Sequence, residues 1–169
     1  MQINLGPRLQ RVADFVPEGA CMADIGSDHG YLAAWLLLTD RVECAIAGEL
    51  NREPAERARQ TARAAGLAER MQVREGAGFA VLQPGEVDMA VIAGMGGATI
   101  VEILESNPLV LPELQRLVLQ PNVGGAQVRY WLSKHGWTIK DEGLVVENDI
   151  IYEVIVAEPG EMQQLSPLQ

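Results

Sequence analysis

The stretch Met22-Ala23-Asp24-Ile25-Gly26-Ser27-Asp28-His29-Gly30-Tyr31 decides the fold. An apolar run from Ala20 to Ile25 stops at a glycine turn, and the apolar helical pattern of Leu32, Trp35 and Leu36 follows at once. That order reads as strand, loop and helix, the opening unit of an α/β nucleotide-binding domain whose ligand sits beyond the carboxyl ends of the strands. A dinucleotide fingerprint G-x-G-x-x-G would place glycine where Asp28 and Tyr31 stand.

The turn is acidic instead. Asp24 and Asp28 flank it, and carboxylates there repel a pyrophosphate but suit a cation. S-adenosylmethionine carries a sulfonium and an ammonium group, so the electrostatics favour it over a dinucleotide.

Upstream, Leu5, Leu9, Val12 and Val16 share one face of a short amphipathic helix, which Pro17-Glu18-Gly19 ends. The first strand spans about 21–25 and the helix after the turn about 30–38. A second strand follows in Cys44–Ala47. Asn51 is placed to cap the next helix, with Pro54 tolerated in its first turn. Ala55, Ala58, Ala62 and Ala65 recur at helical spacing before Gly66, a small-residue stripe that lets the helix lie close to a sheet. Strand three, Met71–Arg74, breaks at Gly76-Ala77-Gly78. Strand four, Val87–Ala93, is almost continuously apolar, as in a sheet covered on both faces. Gly94-Met95-Gly96-Gly97 then turns the chain into a helix over about 98–105. Leu117–Leu119 is a fifth strand, and Val128, Trp131 and Leu132 face inward on a helix over about 126–135. Trp137–Val146 and Ile150–Ala157 read as two strands joined through Glu147-Asn148-Asp149. The pattern is a mostly parallel sheet with an antiparallel hairpin at its edge, in one domain over 1–158. Residues 159–169, with two prolines and no periodicity, read as a frayed tail.

Composition narrows the function. The 169 residues fit one core, and 48% hydrophobic with 21% charged residues is an ordinary soluble balance. No apolar stretch is long enough to span a bilayer, and no basic-then-apolar leader stands at the N-terminus. Cys21 and Cys44 lie in apolar runs without a C-x-x-C or Cys/His neighbour, which reads as buried free thiols of a cytoplasmic protein and no metal site. A net charge of −10 argues against broad nucleic-acid binding but allows a local basic patch or a small-molecule substrate. No GxSxG, HExxH or P-loop supports a hydrolase or NTPase reading.

Glu49 ends the second strand about twenty residues beyond the turn, where a carboxylate can accept both ribose hydroxyls of an adenosine-containing ligand. Amides opening the helix after Gly30 can hold an anion such as the methionine carboxylate. Three glycines in Gly94–Gly97 demand a sharp turn or a close approach across the switch point. His29 suits acid/base work or a hydrogen bond within the turn. His135 reads as a surface residue at a helix end, and Trp35 and Trp131 as core.

These motifs together resemble the bacterial tRNA (adenine-22-N1)-methyltransferase family, a class I S-adenosylmethionine-dependent group. The likeness rests on Ala23–His29 with Tyr31-Leu32, on Ala45–Glu49, on Gly94–Gly97, on Leu117–Asn122, and on Glu147–Asp149 with Ile151–Glu153. Arg8-Leu9 and Pro17–Ala20 match as well, so the likeness covers about residues 4–158. The resemblance implies a Rossmann-like α/β fold: a seven-stranded, mostly parallel sheet with an antiparallel C-terminal strand and helices on both faces. It implies S-adenosylmethionine held by Asp24, Gly26, Ser27, His29, Gly30, Glu49, Leu50, Gly76, Ala77, Gly94, Met95 and Gly96. Asp28 and Asn122 would be catalytic, with Asp28 accepting a hydrogen bond from the adenine N6 amine. Arg8, Tyr31, Gly97 and Pro121 would bind a tRNA substrate, with Arg11 a second phosphate contact. The resemblance implies no membrane partner, and monomer and homodimer both stay open.

Three departures stand out. Ala77 replaces an aspartate expected to meet the cofactor's adenine amine, so affinity is expected to be weaker unless Glu75 or backbone groups substitute. Gly30 replaces a more usual alanine. The family continues into a helical extension that helps hold tRNA, and this sequence ends where that would begin. A methyltransferase of a small molecule, or a cofactor-binding module with little catalysis, are the other readings.

Overall fold

The computed structural model describes residues 2–160. In chain order the elements are α1 (Gly6–Asp14), β1 (Ala20–Ile25), α2 (Tyr31–Leu38), β2 (Val42–Glu49), α3 (Arg52–Ala64), β3 (Met71–Glu75), β4 (Met89–Met95), α4 (Gly97–Glu105), β5 (Arg116–Pro121), α5 (Gly125–Lys134), β6 (Trp137–Glu147) and β7 (Ile150–Pro159). Short 3₁₀ turns lie at Gly78–Val81 and Leu111–Glu113. One seven-stranded sheet runs in the order β3-β2-β1-β4-β5-β7-β6. Pairing is parallel from β3 through β5, and β7 runs antiparallel to both its neighbours.

Alternation along the central strands divides the apolar side chains between two cores. Met22, Met89, Val91, Val118, Val154 and Val156 meet α1, α2 and α3 on one face. Ala23, Ala90, Ile92, Leu117, Leu119 and Ile155 meet α4 and α5 on the other. Both faces of each strand are therefore apolar, which is why these segments read as runs rather than as alternations. The alanine stripe of α3 buries Ala55, Ala58 and Ala62 as its spacing required. Asn51 stands at the cap position of α3, although its side chain makes no capping hydrogen bond. Asn148 and Asp149, both at positive φ, close the β6–β7 hairpin between Glu147 and Ile150. That is the two-residue geometry matching the twist of the strands.

The thiols are a correction. Cys21 and Cys44 are joined in a disulfide, with Cα atoms 4.7 Å apart. They are register partners on neighbouring parallel strands. A cross-strand pair of this kind leaves no short sequence spacing to find. The glycine segment differs too: β4 continues to Met95, with its register shifted through Gly94 at φ +80°. Strand β7 likewise reaches Pro159, which pairs with Trp137. Residues 161–169 of the expected tail lie outside the described residues. Among the described residues no helix is long and apolar enough to cross a membrane, and no cluster of His, Cys, Asp and Glu could hold a metal ion.

The start of α4 touches the start of α5 backbone to backbone. Gly97 N–H donates to Val123 O at 2.8 Å, and a Cβ on Gly97 would collide with the Gly124 carbonyl. Glycine to alanine in a helix ordinarily gains up to about 1 kcal/mol. Here Gly97→Ala is expected to lose roughly 2 kcal/mol or more, because backbone yields less readily than a side chain. The midpoint of urea unfolding measures the sign.

Candidate active site

Strand β1 sits between β2 and β4, so the chain leaves its carboxyl end in one direction through β2 and β3 and in the other through β4 and β5. The loops part there and leave room for a ligand. Two cavities meet at Gly26. One, of about 290 Å³, lies over Ile25, Gly48, Glu49, Leu50 and the Gly76–Gly78 turn, with Met95 and Ile103 opposite. The other, of about 220 Å³, is more polar and is lined by Arg8, Asp24, Ser27, His29, Tyr31 and Gly94, with Asp28 on its wall. The Met95 methyl occupies the space where a Cβ on Gly26 would lie, and Gly26 holds a left-handed backbone at φ +76°.

Two carboxylates stand at the junction. Asp24 is 5% exposed, and burial, reinforced by the neighbouring Glu49, pushes its pKa up to about 7, with Arg8 opposing. Glu49 is also buried, and desolvation raises its pKa. It accepts hydrogen bonds from the Asp28 N–H and, at 3.0 Å, from the Ser27 hydroxyl, both favouring the charged form. One Glu49 oxygen takes both bonds. The other is not engaged in these bonds.

Asp28 holds a left-handed backbone at φ +54°, which aspartate tolerates better than most residues. Its carboxylate pairs with Arg57 of α3 at 2.9 Å and lies 3.9 Å from His29 Nε2. The His29 ring stacks on Tyr31 with centroids 4.9 Å apart. Gly30 lines neither cavity. It caps α2 at φ +71°, and its Cα faces Ala58 and Met71, where a side chain would crowd α3.

Arg8 was expected on a tRNA phosphate. The structure sets it against Asp24 in the polar cavity, its guanidinium donating to Gln120 Oε1 at 2.7 Å and its backbone N–H to Glu147. Arg11 lies over the Phe15 ring and beside Asp14. Gly96 and Gly97 carry the chain into α4 and lie in neither of the two cavities. Pro121 and Asn122 line a separate hollow of about 280 Å³ with Gly124, Leu144, Ile151 and Glu153. It is tied to the first by the Asn122 N–H, which donates to Met95 O at 2.8 Å.

Sequence reasoning missed several groups. Thr99, Glu102 and Ser106 of α4 and the residue after it bring polar atoms to the wall opposite Ala77. They lie on a helix with no motif to mark them. Glu75, the suggested stand-in for the missing aspartate, is paired with Arg59 at 3.1 Å. Gln120 is fully buried, and its one signal was a polar residue breaking an apolar strand.

The chemistry of these donors fits one kind of ligand. The apolar recess could hold a base, the buried Glu49 carboxylate could meet a ribose, and the polar recess with Asp24 suits a cationic amino-acid end. Comparison with known proteins agrees. A family model described as a methyltransferase domain matches residues 5–155. The Bacillus subtilis (strain 168) tRNA (adenine(22)-N(1))-methyltransferase is 43% identical over 160 residues, which are 95% of this chain and 67% of that protein. The crystal structure of the B. subtilis M1A22 tRNA methyltransferase TrmK superposes with TM-score 0.92, covering 95% of this chain and 69% of that one. A Streptococcus pneumoniae protein solved in complex with S-adenosyl-L-methionine is 40% identical, with TM-score 0.90 over 98% of this chain and 77% of its own. Fold and site define a class I, S-adenosylmethionine-dependent methyltransferase. The chain belongs to the tRNA (adenine-22-N1)-methyltransferase family.

The raised pKa of Asp24 has a sign that can be measured. A cationic ligand favours the ionised carboxylate, so below pH about 7 binding must expel a proton. The dissociation constant for S-adenosylmethionine is expected to rise as pH falls from 8 to 6, by up to about tenfold per unit below the pKa. Calorimetric titration at each pH checks this, with Asp24→Asn expected to flatten the profile. In the free protein the same group acts oppositely. Its proton is held more tightly folded than unfolded, so its stabilising contribution is complete below about pH 4 and is lost as pH rises through 7.

Proposed function

We infer that the protein transfers a methyl group from S-adenosylmethionine to N1 of adenine 22 in tRNA, the activity named for its B. subtilis relative. The observation that carries the reading is the pair of cavities joined at Gly26 with Asp24 and Glu49 buried at their junction. When bound, the cofactor supplies an electrophilic methyl group on a sulfonium. Asp24 and Arg8 set the charge of the amino-acid recess, Glu49 meets the ribose, and Ile25, Ala77 and Ile103 flank the base.

Adenine N1 is a neutral nucleophile that needs alignment more than deprotonation. Holding it in line can supply roughly 7 kcal/mol or more of the barrier. Because N1 lies on the pairing edge, the nucleotide must leave its partner and enter the site, at a cost of about a few kcal/mol. As the N1–C bond forms and the S–C pair returns to sulfur, positive charge moves onto the purine. The carboxylate of Asp28, fixed by Arg57 and by its own N–H on Glu49, answers that charge through the N6 amine. Asn122 and Pro121 border the base, with Tyr31 and His29 at the rim of the polar cavity. A tRNA substrate places the reaction in the cytoplasm.

Incubation with labelled cofactor and an unmodified tRNA transcript is expected to place label on N1 of adenine 22. A transcript with guanine there is expected to take none. Label on another nucleotide, or only on small molecules, would refute the assignment. Ala77 yields a separate expectation: Ala77→Asp restores an acceptor for the adenine amine. It should tighten cofactor binding about three- to tenfold, the worth of one hydrogen bond, as read by calorimetry.

A further inference from the structure

Gln120 ends the apolar run of β5 with a carboxamide wholly out of solvent, and every polar atom of it is engaged. Its Oε1 accepts from Arg8 Nη1 at 2.7 Å and from the Gly94 N–H at 3.0 Å. Neither partner can accept a hydrogen bond, so the oxygen must face them. The amide nitrogen is thereby turned toward Asn122, and donates to its Oδ1 at 3.1 Å. The orientation of a carboxamide is ordinarily assigned rather than observed. Here a chain of donors, Arg8 and Gly94 to Gln120 to Asn122, leaves one choice.

Asn122 therefore has its oxygen committed inward. It is exposed on the hollow beyond β4 and β5, and with its oxygen turned to Gln120 the group it presents outward is its Nδ2 amide, a donor. We propose that Gln120 is a positioning residue that turns Asn122 into a hydrogen-bond donor toward the methyl-accepting base, so that the base is read there through a ring nitrogen and not through its exocyclic amine. The proposal rests on the tRNA adenine reading above. The lone pair of N1 must be directed at the transferred methyl, which leaves N3 and N7 as the acceptors Asn122 can meet. The exocyclic amine is left to Asp28, which lines the polar cavity together with Gly94.

Ligated tRNAs carrying 3-deazaadenine or 7-deazaadenine at position 22 test this, with the natural transcript as reference. The wild-type protein is expected to lose roughly tenfold in kcat/KM on one of the two analogues, as for one missing hydrogen bond. In Gln120→Glu one carboxylate oxygen still serves Arg8 and Gly94. The other can only accept, so Asn122 turns and shows its oxygen outward. That variant is expected to treat the sensitive analogue and adenine alike, within about threefold. Asn122→Asp, at an exposed position, keeps the bond from Gln120 and also shows an oxygen outward. It is expected to lose the discrimination too, and carries the test if Gln120→Glu fails to fold. Equal wild-type rates on all three tRNAs, or discrimination that survives in a folded variant, overturns the proposal. Failure of the wild type on the natural transcript overturns the tRNA reading instead.

Discussion

Two carboxylates buried side by side at the carboxyl edge of the sheet are the constraint on which the site depends. Isolated ionised groups are costly to bury, and proteins answer by pairing them or by shifting their pKa. This chain does both by halves. Glu49 is anchored by Ser27 and the Asp28 amide, which also pins the turn after β1 into its left-handed step. Asp24 receives only the field of Arg8 and is pushed toward neutrality. The free protein is thus electrostatically unfinished at this point, and a cation completes it. Selectivity for a positively charged donor over a pyrophosphate cofactor follows from the same arrangement, since phosphates would meet Asp24 and Glu49 without the amide-rich, acid-free turn they require.

Most of the architecture was legible because it is local. Each β/α unit carries its own apolar run, turn residue and helical stripe, whereas the strand order, with β1 between β2 and β4, is made by crossovers between units. The Asn148-Asp149 turn was legible for the same reason. What escaped is what the sheet creates. Cys21 and Cys44 are 23 residues apart in sequence and become partners through strand register. Arg8 and Gln120 are 112 residues apart and meet only when α1 packs across β5. Strand ends were underread where polar residues continue the ladder. Gln120 belongs to β5 although the sequence reading ended that strand at Leu119, whereas Glu49 was read at its strand's end and is found there.

In the site the legible part was the turn itself. Asp24, Gly26, Ser27, Asp28 and Glu49 all come to one junction, as the strand–loop–helix reading required. Arg8 shows what the sequence left open. An arginine on an amphipathic helix in an acidic protein suggested a phosphate contact; in the fold its guanidinium donates to Gln120 and lies by Asp24 at the polar cavity. Charge counting cannot distinguish a cation that meets a ligand from one that balances a buried acid. With a net charge of −10, this chain also pairs its arginines with acids at the surface, as in Arg57 on Asp28 and Arg59 on Glu75.

The bulge at Gly94 joins these threads. By interrupting the ladder between Ala93 and Met95, it frees the Gly94 N–H to meet Gln120 and swings Met95 across Gly26. Met95 then serves three places: its side chain covers the cofactor turn, its flank lines the apolar cavity, and its carbonyl accepts from Asn122. A bulge next to a reaction centre re-aims side chains that a regular strand would alternate between faces. In this fold it places Met95, which lines the apolar cavity, beside Asn122, which follows β5 and lines the neighbouring hollow, with one hydrogen bond between them. A displacement of β4 at that point would move both hollows together, because the link between them is a backbone hydrogen bond.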